Sequence, residues 1–187
     1  MDAAARVAAL LVGLQAEIPG FSLRYKDESP SQRLVAALVW PFNRRYLQDY
    51  TTVLFGRVYL PSRRWRAAVG EAAIYEILSH EAVHLRDARC FPLVFELSYL
   101  LLPLPALLTA PAGWEWRGYR ASMRARLELG LPVDDGWIEA VVQRFVGADY
   151  LYMWPFPAML RRRLVALRAA LRDEVAGDAR GVPGLDR

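Results

Sequence analysis

Cysteine is almost missing from this chain: Cys90 is the only one in 187 residues, so no disulfide can form within it and stability must come from packing. Lysine is equally scarce. Lys26 is the single lysine among 24 basic residues, and the formal net charge of +4 is carried by arginine. Histidine occurs only at 80 and 84. No internal repeat and no low-complexity segment is visible, which excludes solenoids and biased linkers. The apolar extreme, Phe91 to Ala112, is about long enough to span a bilayer, but Glu96 sits inside it and Pro103, Pro105 and Pro111 interrupt it. A buried hairpin or the lining of a substrate cleft is expected there, with membrane or protein contact as the alternative. The apolar stretch Val7 to Leu14 follows Asp2 and lacks a small-residue cleavage site, so a cytoplasmic protein is expected rather than a secreted one.

What is present suffices for a core. Hydrophobic residues make up 55% of the chain, which suits one domain over 1–176 followed by a flexible tail over 177–187. Asp2 to Glu17 carries Val7, Leu10, Leu11 and Leu14 at helical spacing, and Ile18-Pro19-Gly20 stops it. Phe21 to Lys26 alternates like a short strand, whereas Ser31 to Trp40 is apolar enough for either helix or strand. Thr51 to Leu60 is rich in β-branched and aromatic residues and predicts one strand, with Gly56 marking a bulge or a close approach. Ser62 can cap a long helix running to about Arg89. Helices are also predicted over Trp114 to Leu129, from Asp134 and Asp135 to Val146, and over Ala158 to Ala176. The expected fold is α+β and mostly helical, with a small sheet of two to four strands beside the helix after Ser62.

That helix holds His80-Glu81-Ala82-Val83-His84, an HExxH sequence. Residues four apart in a helix lie one turn above each other, so both imidazoles can grip one metal ion. Glu81 is turned about a hundred degrees from His80, which lets its carboxylate reach a water on the ion rather than the ion itself. Both histidines of the chain stand at this spacing, so ordinary helix histidines are a poor competing explanation. One zinc ion is the expected cofactor.

Zinc in a catalytic site takes three protein ligands and keeps a fourth position open. No third histidine exists, and Cys90 follows too closely on the same helix, so the third ligand is expected to be a carboxylate from another helix. Glu115, near the start of the next predicted helix, fits best; Glu128, Glu139 and Glu96 are weaker substitutes. Asp87, three residues after His84, can accept an imidazole N–H and orient that ring.

On His80, Glu81, His84, a glutamate in a later helix and a strand just before the motif, the chain resembles the gluzincins, metallopeptidases with HExxH and a distant glutamate ligand, in their minimal single-domain form. The resemblance covers about Thr51 to Leu129. It implies a zincin-like domain and a peptide or protein substrate that pairs with the edge of the small sheet. Gluzincins often place an aspartate four residues after the ligand glutamate; this chain has Tyr119 there. Tyr119 can instead donate a phenol to a developing oxyanion, with Arg117 and Arg120 as other donors.

The expected activity is therefore zinc-dependent peptide hydrolysis, with Glu81 as general base passing a proton to the leaving amine. A structural or interaction protein that retains a zinc site is the alternative, with Arg161, Arg162, Arg163, Arg168 and Arg172 offering a docking face. Nucleic acid is not an expected partner, because no recognised module accompanies these arginines.

Overall fold

The computed structural model describes residues 2–40, 44–100, 109–147 and 152–180. By packing, the chain divides into two compact units, Met1–Leu97 and Ser98–Arg187. The architecture is α+β and mostly helical with one small sheet, as the sequence predicts.

In the first unit, helix α1 (Ala3–Glu17) begins where the Asp2 carboxylate accepts the Ala5 N–H at 2.7 Å. Strand β1 (Ser22–Tyr25) is followed by α2 (Pro30–Val39), and Pro30 at its first turn resolves the helix-or-strand ambiguity. A short turn of helix, α3 (Tyr46–Asp49), leads into β2 (Thr52–Leu54) and β3 (Arg57–Leu60). The sheet runs β1-β3-β2, with β1 parallel and β2 antiparallel to β3. The single strand expected over Thr51 to Leu60 is thus a hairpin. Leu54 pairs with Arg57 around Phe55 and Gly56, whose φ values are 47° and 73°. Two positive φ values in a two-residue loop match the strand twist, and Phe55 in place of the usual Asn or Asp hides the turn from a sequence reader.

Ser62 caps helix α4 (Arg63–Cys90) by accepting the Trp65 N–H at 3.0 Å. The expected long helix is broken at Gly70, where φ 80° and ψ 163° suit only glycine. The segment after Gly70 buries Ile74, Leu78, Ala82 and Leu85 on one stripe against Val7, Leu14, Val58 and Leu60. Arg86 holds Glu17 at the end of α1 with bonds of 2.8 to 3.1 Å, and β2 and β3 also lie against α4. Helix α5 (Val94–Leu100) then occupies part of the apolar extreme. Phe95 is buried there, while Phe91, Leu93, Val94 and Leu97 are exposed. Residues 101–108, which fall in the predicted hairpin or cleft lining, lie outside the described residues.

The second unit is built from α6 (Thr109–Glu128), α7 (Asp135–Val146) and α8 (Pro157–Arg180), with α8 packed on both others. Helix α6 starts five residues before the expected Trp114. Asp134 caps α7 through the Trp137 N–H at 2.8 Å. Met123, Ile138, Val142, Phe145, Leu164 and Leu171 form a dry core. Helix α8 runs through the start of the expected tail, and 181–187 lie outside the described residues. Two of its arginines are engaged within the unit: Arg161 binds Glu139 and Arg168 binds Asp135. No described helix is long and apolar enough to cross a membrane.

Candidate metal centre

The apolar stripe of α4 decides where the HExxH side chains can go. Leu78, Ala82 and Leu85 anchor the helix in the core, and the intervening residues turn His80, Glu81 and His84 along a neighbouring face. His84 and Glu81 are buried, and His80 is half-buried. The Nε2 atoms of His80 and His84 approach to 2.9 Å, with the rings crossed at 74°. Tetrahedral zinc, with Zn–N bonds of about 2.0–2.1 Å, separates two ligand nitrogens by roughly 3.3 Å, so the observed spacing needs only a few tenths of an ångström of relaxation. Phe95 stacks obliquely on His84 at 5.6 Å and gives the pair an apolar wall.

Glu81 does not share that convergence. Its Oε1 accepts the hydroxyl of Thr51, the residue that leads into β2. This fixes one carboxylate oxygen. Sequence reasoning missed Thr51 because the bond closes across thirty residues and nothing local marks it.

Glu115 lies in the second turn of α6 and is 4% exposed. Among the described residues, one ligand atom each of His80, His84 and Glu115 lie within 4.8 Å of one another. Two imidazoles and one carboxylate form a donor set suited to zinc rather than to magnesium or calcium, which prefer all-oxygen shells. The weaker substitutes are engaged elsewhere or stand apart. Arg124 bonds Glu128 at 2.9 Å, and Gln143 and Arg161 hold the Glu139 carboxyl below the usual carboxylate range. Glu96, on α5, does not join the group.

Asp87 is buried rather than a solvated helix-end charge, and its carbonyl accepts the Phe91 N–H that closes α4. Cys90 is exposed. Tyr119 sits in the core of the second unit, with its ring 5.6 Å from Phe145 and its hydroxyl bonded by Arg144 at 3.4 Å. Arg120 is paired with Glu174, and Arg117 stacks on Trp114. No family profile, curated protein or solved structure matches the chain.

Proposed function

We propose that this protein is a zinc-dependent hydrolase of peptide bonds, with His80, His84 and Glu115 as metal ligands and Glu81 as general base. The observation that carries the proposal is the group of His80, His84 and Glu115, each offering one ligand atom within 4.8 Å of the others, with the buried Glu81 held by Thr51. Zinc held there supplies a Lewis acid and lowers the pKa of water toward neutrality. Thr51 orients Glu81 through Oε1, so that Oε2 can take a proton and return it to a leaving amine. A peptide substrate is supported by the sheet order. Strand β2 is an edge, it starts at the residue after Thr51, and an extended chain can add to it close to Glu81. Tyr119 is the proposed oxyanion donor, and Arg144, bonded to its hydroxyl, favours a polarised phenol.

Metal analysis of the purified chain tests the centre: one zinc per chain is expected, weakened or lost in Glu115→Ala. Glu81→Gln should retain that zinc and lose about 10²–10⁴-fold in peptide turnover. Wild-type protein that binds zinc but cleaves no peptide would favour the structural zinc protein instead. Zinc uptake unchanged in Glu115→Ala would remove the third ligand.

A further inference from the structure

The only lysine of an arginine-rich chain is completely buried. Lys26 follows β1, and its backbone N–H donates to Leu60 O at 2.8 Å, extending the β1–β3 pairing. Its Nζ donates to the Tyr46 carbonyl at 2.9 Å and lies 3.6 Å from the centre of the Tyr46 ring. At the other end of that ring, the Tyr46 hydroxyl donates to Gln32 Oε1 at 2.6 Å, and Gln32 is also fully buried. The turn of helix at Tyr46–Asp49 is therefore held at its first residue by two buried side chains. Five residues after Tyr46, Thr51 donates to Glu81.

An ammonium removed from water costs several kcal/mol unless something offsets it. An apolar side chain would fill the same space without that cost, and arginine is too large and stays charged. Burial draws the Lys26 pKa down to about 7, with the Glu81 carboxylate opposing part of that shift.

We propose that Lys26 is a positioning residue for Glu81: it fixes the Tyr46 turn that delivers Thr51 onto the carboxylate. The role in catalysis rests on Glu81 being the general base.

The test is a double-mutant cycle in the full chain with Lys26→Met and Glu81→Gln, read by urea unfolding at pH 6, as purified and again after chelation. The effect of Lys26→Met on the folding equilibrium constant should be about tenfold less favourable with Glu81 present than in the Glu81→Gln background, a coupling typical of residues in one network. In peptide hydrolysis, Lys26→Met should lower kcat about tenfold or more with KM and bound zinc unchanged, as expected for a misplaced group. Thr51→Val, which keeps the side-chain shape, should lower kcat similarly with bound zinc unchanged; it decides the matter if Lys26→Met does not fold. Equal effects of Lys26→Met in the two backgrounds, or full kcat in either Lys26→Met or Thr51→Val, overturns the proposal. The unfolding cycle needs neither substrate nor metal. It therefore decides the Lys26–Glu81 link even where wild-type protein cleaves nothing and the hydrolase assignment alone fails.

Discussion

The two units bury different things. Ser98–Arg187 encloses a dry core of Met123, Ile138, Val142, Phe145, Leu164 and Leu171, and its arginines pair with acids at the surface. Met1–Leu97 also has an apolar core, yet it takes Lys26, Gln32, Glu81, His84 and Asp87 out of water as well. Buried polar groups cost stability unless each is matched, and they give reactivity when arranged around a common point. The contrast therefore separates a unit packed mainly by apolar side chains from one that also places several charged and polar side chains in its interior. In the second unit the buried polar side chains among the described residues are Ser98, Glu115 and Ser122, and Glu115 is the carboxylate among them.

The sharpest challenge to that contrast is a cavity in the dry core. Leu164 is fully buried, and Leu164→Ala should cost about 2–5 kcal/mol in urea unfolding, as large-to-small changes in rigid cores do. A cost below 1 kcal/mol would mean that α8 does not hold the second unit together.

An effect of comparable size, spread over several pH units, should appear in the first unit. Lys26 titrates near 7 in the folded protein, below the ordinary lysine value of 10.5. Between those limits the unfolded chain binds the extra proton, so stability should rise with pH from about 7 to about 10.5, by at most about 1.4 kcal/mol per pH unit. Below the folded value both states are protonated and the burial penalty is fully felt. Lys26→Met should flatten the rise, and urea midpoints with the same pH slope in both proteins would refute the assignment.

The smallest effect is expected at the surface of the second unit. Arg161 and Glu139 are 46% and 42% exposed, so their bond is screened and Arg161→Ala should change stability by about 0–1 kcal/mol. A loss above 2 kcal/mol would show that the outer face of α8 contributes as the core does.

Much of this organisation is local and therefore legible in the chain. Asp2, Ser62 and Asp134 each cap the helix that follows them, because an N-cap bond spans only three residues. The alignment of His80 with His84 follows from helical periodicity alone. The hairpin was hidden by Phe55, which adopts a positive φ that asparagine or glycine normally announces. The break at Gly70 was hidden because an isolated glycine in a helical pattern is usually tolerated. The short turn of helix at Tyr46–Asp49 has too few residues to show a period.

Sequence was thus sufficient for the helical class and for the spacing of the motif, since each depends on spacings of a few residues. Only the folded chain could decide that Thr51 meets Glu81 and that Lys26 is swallowed beneath Tyr46. Those contacts join residues twenty and thirty positions apart, and they exist because strands and helices packed by their apolar faces carry polar side chains to one place. No local pattern records that meeting, because the burial that produces it is a property of the packed structure.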